Sequence, residues 1–417
     1  MFSRALSDQV RKKFHHVDNC PYQGPRIFFE NAGGALTLKS VIERSSELSA
    51  IPDNQGRDNV ASIEMMRIIE QGKADVLQFL GLDKGTVFAG ESGTEVLFRQ
   101  IRAAILSAPE GSHVLGTTLE HPGTVSACTR WARIAGLPFL RVPHNNKSGI
   151  VTVEDYREFV TPETCVATLI HTSPVTGMTV DLEAIIGFIR SVSPDCIIII
   201  DGIQHAAHGG LDLRALDIDA YAISAYKVFS RHGYGLGWVS ERLNALPHDR
   251  LIGSEDIQWE LGTRDVSAYA TFSKVVDYFE WLGAEFTSSE NRRTRIVAAG
   301  QAIAEHENAL VTATIFGTDN FTGLAGLPNV SVIGGADNVH REGLVSFIVD
   351  GIPAMEVVEV LNKARIRTHA RKNDCYSGNV LGPLGLENCV RASYGHYNTV
   401  KEVEQLLKVM QEIICKG

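Results

Sequence analysis

The chain predicts an α/β protein, with a mainly parallel sheet sandwiched by helices and a smaller α+β unit beside it. Three observations predict this. Short apolar runs alternate with helical patterns from Val87 to Val239, and strands and helices in that alternation form parallel sheets. The run Ile197–Ile200 contains no polar residue and ends abruptly on Asp201 and Gly202, as a strand covered on both faces does. After about Gly283 the alternation stops, and 417 residues exceed what one simple core holds.

Residues 1–27 are polar, with a short amphipathic pattern around Val10–Phe14 and prolines at Pro21 and Pro25. Ile27–Phe29 reads as a short strand, followed by Asn31 and by Gly33-Gly34, whose missing side chains permit close backbone approach. Ser40–Ala50 and Ile63–Leu80 repeat their apolar residues with helical spacing, and the polar, turn-rich stretch Ile51–Ser62 between them reads as a loop over a site. Strands are expected at Val87–Ala89, Val114–Gly116, Phe139–Val142, Cys165–His171, Ile197–Ile200 and Ala220–Ser224, with Gly235–Val239 as a hairpin partner. The intervening helices are Thr94–Leu106, Thr124–Ala135, Val153–Phe159 and Leu182–Val192. Beyond them come a long helix at Asn291–Val311, strands at Val330–Ile333 and Leu344–Val349, and helices at Ala354–Lys363 and Val400–Ile414. The expected large unit covers 28–290; the small one joins 1–27 to 291–417.

Composition narrows the function classes. Hydrophobic residues at 44% and charged residues at 21% fit a globular enzyme. A net charge of −10, with no basic stripe to offset it, argues against nucleic-acid binding. No stretch has the length and apolarity of a membrane span, and the amino terminus lacks the apolar core of a signal peptide. The seven cysteines are irregularly spaced and form no C-x-x-C, so neither a disulfide framework nor a metal site is expected. The expectation is a reduced, cytoplasmic protein.

The chemistry-bearing residues gather at one edge. Asp201 ends a strand, and Lys227 stands just past the next one; both would face the crevice at the carboxyl ends of the strands. Taken singly, these are a capping aspartate and a surface lysine. Together they suit pyridoxal 5′-phosphate, which takes a lysine on its aldehyde and an acid on its pyridine nitrogen. Gly93 and Thr94, in the run Gly90-Glu91-Ser92-Gly93-Thr94-Glu95, open a helix after a strand. Free amides there form an anion site fit for a phosphate, although a plain helix cap reads the same way. His121 follows the next strand and can stack on a flat ring or act as an acid or base. Gln204 can donate to a ring oxygen, and Ser224 and Tyr226 can reach a phosphate. Gly233, Gly235 and Gly237 follow the lysine and lead into a strand, so they read as backbone clearance and not as a dinucleotide motif.

With these residues in place, Asp201-Gly-Ile-Gln204, Ser224-Ala-Tyr-Lys227 and Gly235-Leu-Gly237 resemble the class V aminotransferases of pyridoxal-phosphate fold type I. The likeness is greatest to cysteine desulfurases and selenocysteine lyases, and Gly262-Thr263-Arg264-Asp265 resembles the isopenicillin N epimerase-like branch. The resemblance implies a seven-stranded central sheet, Lys227 as the cofactor-binding catalytic lysine, and Gly93, Thr94, His121, Asp201, Gln204, Ser224 and Tyr226 around the cofactor. It implies Thr263 reaching the phosphate of a neighbouring subunit, hence a homodimer with shared sites. Arg391, in Val390-Arg391-Ala392-Ser393, is similar to the family's substrate-carboxylate arginine, and its planar fork suits a carboxylate; Asn31 is placed on the same substrate side.

Cys375 stands about where desulfurases carry the cysteine that attacks the substrate's sulfur, with a sulfur-acceptor protein as a further partner. Its flank Arg367-Thr-His-Ala-Arg-Lys-Asn-Asp-Cys375 is about three residues longer than the family's run, and Arg371 and Lys372 can favour a thiolate. An incidental loop cysteine fits the position too. Pro174 and Tyr226 also depart from the family pattern. The expected function is desulfurase-like C–S cleavage on an amino acid. The alternatives are β-elimination, epimerisation or transamination of another amino acid and, in a different class, a non-catalytic cofactor-binding protein.

Overall fold

A computed structural model of the chain describes residues 1–53, 55–255 and 258–416. Seven strands form the central sheet: β1 (Thr86–Gly90), β2 (His113–Thr117), β3 (Phe139–Val142), β4 (Thr164–Ile170), β5 (Ile197–Asp201), β6 (Ala220–Ser224) and β7 (Gly235–Val239). Their spatial order is β1-β7-β6-β5-β4-β2-β3. Only β7 runs against its neighbours; the pairs β6/β5, β5/β4, β4/β2 and β2/β3 are parallel. This is the sheet expected, with the β6–β7 hairpin placing β7 beside β1.

The isoleucine run shows why the sheet needs two helical layers. Ile198 and Ile200 pack into one hydrophobic cluster with Ile185, Ile189, Phe272 and Phe279. Ile197 and Ile199 enter another, with Val96, Leu97, Ile101 and Ala127. Successive side chains of a strand point to opposite faces, so β5 is buried above and below.

A second sheet, of four strands, is antiparallel throughout. Val330–Val332, Leu344–Val349, Asn388–Ser393 and His369–Lys372 lie side by side in that order. Their core takes Leu310, Val311 and Ile315 from the long helix Arg292–Phe316, Val357 and Leu361 from Ala354–Lys363, and Leu406, Leu407 and Met410 from Val400–Lys416. Ile27–Phe28 pairs in parallel with Ile366–Arg367 as a separate two-stranded sheet, whose Ile27 and Ile366 pack onto the same core. Leu6 and Val10, from the helix Arg4–Lys13, and Phe14, which caps it, join the core of the larger sheet.

Several elements differ from expectation. The helix Val266–Gly283 was not legible, because it buries residues around most of its circumference, Tyr269, Phe272, Val275, Val276 and Phe279 among them, and leaves only a narrow polar face of Lys274, Asp277 and Glu280. His369–Lys372 and Asn388–Ser393 carry charged and polar residues, and sheet pairing makes them strands. Val153–Tyr156 is a short 3₁₀ turn in place of a helix to Phe159. The expected loop 51–62 ends at Asn59, whose side chain caps the helix Val60–Leu80 by accepting from Ser62 N at 2.9 Å; Asn54 within it lies outside the described residues.

Candidate active site

Five connections leave the carboxyl edge of the sheet and converge. The register Ile170↔Asp201↔Ala222 sets Asp201 level with the end of β4 and two residues short of the end of β6. Thr94, His121, Pro174, Asp201, Gln204, Ser224, Tyr226 and Lys227 line a single cavity there, floored by Ile170 and Ile203. Eight residues from five separate loops thus meet at one point.

One end of the cavity is built for an anion. Ser92 caps the helix Gly93–Leu106, its hydroxyl accepting from Glu95 N at 3.2 Å, which leaves the first amides pointing outward. Gly93 is required by proximity: a Cβ there would lie 2.4 Å from Ser224 Oγ. Gly235 answers from β7, where a Cβ would come within 2.3 Å of Gly93 N. The glycines read as backbone clearance are therefore what lets β7 pass beneath this helix terminus.

The other end is built for a ring. Asp201 is 2% exposed; its carboxylate accepts from Thr124 Oγ1 at 3.2 Å and from Ile203 N at 3.1 Å. His121 caps the helix Pro122–Ala135, Nδ1 accepting from Gly123 N at 3.1 Å. Burial lowers the His121 pKa, against the pull of Asp201, and so favours the neutral imidazole. Glu120 beside it is fully buried. Oε1 accepts from Ile170 N at 2.9 Å, and burial and the Asp201 charge push its pKa well up. It serves to tie the β2 loop to the end of β4.

Lys227 lies between the two ends, its Nζ donating to Gln204 Oε1 at 3.1 Å. Burial of the amine, reinforced by the Arg391 charge, pulls its pKa down to about 7. A lysine so placed is substantially neutral at neutral pH and able to act as a nucleophile or base.

Arg391 is 2% exposed. Its Nη1 donates to Pro174 O at 2.7 Å, and its Nε is buried with no hydrogen-bond partner. Burial first, and then the Arg371 charge, hold its pKa down to about 9, still protonated at neutral pH. A buried guanidinium without a carboxylate is a site for an incoming one. Gly33 approaches it, with a Cβ position 3.7 Å from Nη2, and Gly34 lies against the ring of Tyr226, where a Cβ would stand 3.2 Å from Cδ2. Tyr226 also stacks on His232, ring centroids 4.4 Å apart.

Two of the expected residues, Asn31 and Thr263, do not line this cavity. Asn31 has its amide engaged within the protein: Nδ2 donates to Ser393 O at 2.8 Å, and Oδ1 accepts from Tyr397 Oη. It fastens the Gly33-Gly34 turn to the strand carrying Arg391. Thr263 is exposed on the segment after Glu260 and is not among the residues lining the cavity. Thr124 was not anticipated as a site residue; its place one turn along the helix that begins at His121 was the available signal.

The family model of class V aminotransferases matches residues 27–406. The chain belongs to the class V aminotransferase family. Its cofactor is accordingly pyridoxal 5′-phosphate, and the residues fit it: amides and a hydroxyl at Gly93 and Ser224, a held carboxylate at Asp201, and a desolvated amine at Lys227. The chain is similar to an aminotransferase-like protein, FGM3, of Gibberella zeae, 27% identical over 98% of each. A cysteine desulfurase-like protein, ustD, of Aspergillus flavus is 25% identical, over 94% of this chain and 88% of that one. In fold it resembles a cysteine desulfurase of Thermococcus onnurineus, with TM-score 0.84 and 21% identity over the whole of both chains. A cysteine desulfurase, CsdA, of Escherichia coli gives TM-score 0.79 at 21% identity, over 99% of this chain and 98% of that one. Among the described residues no helix is long and apolar enough to cross a membrane, and no metal-binding cluster occurs.

Proposed function

We propose that the protein is an amino-acid-processing enzyme that cleaves the bond between the β-carbon and sulfur of cysteine or a close analogue. Bound pyridoxal 5′-phosphate supplies an electron sink for charge developing at the substrate's α-carbon. The chain's own residues do the rest. Asp201, steadied by Thr124, keeps negative charge beside the ring nitrogen. Arg391 holds the substrate carboxylate, and Lys227 removes the α-proton. Cys375, as a thiolate, attacks the substrate sulfur; the C–S bond breaks, and protonation of the remainder gives alanine and a Cys375 persulfide. A partner protein then takes up that sulfur, and Thr263 reaches the phosphate in the second subunit of a homodimer.

One observation supports the Cys375 assignment above the others. The helix Gly378–Leu381, three residues on, is pinned to the site: Asn379 Nδ2 donates to Thr118 O and to Glu120 O, both at 2.8 Å. The exposed Cys375 loop is thereby fastened to the main chain just ahead of His121. Release of alanine and sulfide from cysteine, compared between wild type and Cys375→Ala, tests it. We expect the variant to keep cofactor loading and lose about 10²-fold or more of the sulfide release. Equal release by both proteins would refute the assignment.

Arg371 favours a second reading, in which the substrate is an amino acid with an anionic side chain. It lies opposite Cys389 in the sheet and so shares a face with Arg391. Its Nε is buried without a hydrogen-bond partner, and its charge depresses the pKa of Arg391, Lys227 and His121. Under this reading acidic amino acids perturb the cofactor spectrum at lower concentration than cysteine does, and Arg371→Ala abolishes the difference. The reverse order of affinities would reject it.

A further inference from the structure

Gln204 connects Lys227 to a buried pair outside the cavity. Its Oε1 accepts from Lys227 Nζ at 3.1 Å, and its Nε2 lies 3.1 Å from His208 Nε2. His208 Nδ1 in turn lies 2.7 Å from Glu307 Oε2, on the long helix Arg292–Phe316. Gln204, His208 and Glu307 are 4%, 4% and 2% exposed, so water does not compete for these contacts. Gly343, at φ +59°, packs against the imidazole so closely that a Cβ would stand 2.6 Å from Nδ1. The other charged or titratable groups facing His208 are Glu342, Lys227 and His396.

The chemistry of an amide makes this chain directional. An NH₂ only donates. With Oε1 turned to the lysine, His208 must offer a lone pair at Nε2 and carry its hydrogen at Nδ1, which donates to ionised Glu307. A lysine engaged by the cofactor would no longer serve Oε1, and Gln204 would then be the residue to donate to a ring oxygen of the cofactor. Turning the amide over supplies that donor, but then Oε1 faces His208, and Nε2 must carry a hydrogen. Either His208 becomes doubly protonated against ionised Glu307, or it holds its hydrogen at Nε2 against a protonated Glu307. In both cases the pair has gained one proton. Glu307 stabilises the charged imidazole and raises the His208 pKa, which makes that gain accessible.

We propose that His208 and Glu307 are positioning residues that tie the orientation of the Gln204 amide to one proton, taken up by the pair when Gln204 turns to donate to the bound cofactor. This rests on cofactor binding at Lys227 and is independent of the reaction assigned to Cys375.

Calorimetric titration of the cofactor-free protein with pyridoxal 5′-phosphate, in two buffers of different ionisation enthalpy near neutral pH, counts the protons taken up. Wild type is expected to take up about one more than Glu307→Gln. A neutral amide at 307 can accept from Nδ1–H or donate to Nδ1, so His208 changes tautomer without gaining a proton. Equal uptake by the two would overturn the proposal, whereas a merely structural Glu307 would leave the count unchanged. Nitrogen-15 spectra of histidine-labelled wild type read the same event should the variant not fold. His208 Nε2, assigned by the signal missing from His208→Gln, is expected to pass from unprotonated to protonated on adding cofactor; an unchanged resonance overturns the idea. Failure of wild type to bind the cofactor would remove the inference together with the cofactor assignment.

Discussion

Lys227→Ala is expected to lower turnover by on the order of 10⁴-fold while leaving the fold intact. The side chain is anchored at one point, Gln204, so its loss empties space in the cavity and breaks no packing. Circular dichroism checks the fold, and activity with any accepted amino acid checks the effect; retained turnover would remove Lys227 from the mechanism. The same lysine gives the cofactor-free protein a pH signature. Its folded pKa of about 7 lies below the ordinary lysine value of 10.5, so between those values the unfolded chain binds more protons than the folded one. Stability therefore rises with pH across that window. Lys227→Met should flatten this rise in thermal melts.

Arg391→Ala should weaken substrate capture by about 2–5 kcal/mol, on the scale of truncating one partner of a buried charge pair. The effect falls on KM or kcat/KM, because in the proposed mechanism the guanidinium holds the substrate's carboxylate away from the bond that breaks. Arg391→Lys should recover only part, since an ammonium lacks the planar fork and the bond to Pro174 O is lost. Cofactor loading, read from its absorbance, is expected to survive in both variants. A variant that fails to load would show that Arg391 supports the cofactor and not the substrate.

Asp201 and Lys227 were legible because each is a polar residue at an abrupt end of an apolar run, where the sheet must expose its edge. Gly93 and Gly235 were legible as glycines; that Gly235 leaves room for the Gly93 backbone, and Gly93 for the Ser224 and Ile203 side chains, required the antiparallel placement of β7 beside β1. Thr124, Asn379 and Glu307 left little or no trace, because each acts on a residue far away in the chain: Asp201, the main chain at Thr118 and Glu120, and His208. Asn31 shows the opposite case, a residue noticed in sequence whose amide turned out to be used within the protein.

The sequence by itself determined the layered sheet, the edge at which chemistry gathers and the lysine–aspartate pair suited to the cofactor, because these follow from local periodicity and from what ends each apolar run. The tertiary structure alone decided what surrounds them. It set the low pKa of Lys227, the buried Arg391 guanidinium whose Nε has no hydrogen-bond partner, the pinning of the Cys375 loop and the buried chain from Gln204 to Glu307. Each of these arises from burial and contact between segments distant in sequence, and desolvation and hydrogen bonding depend on neighbours in space.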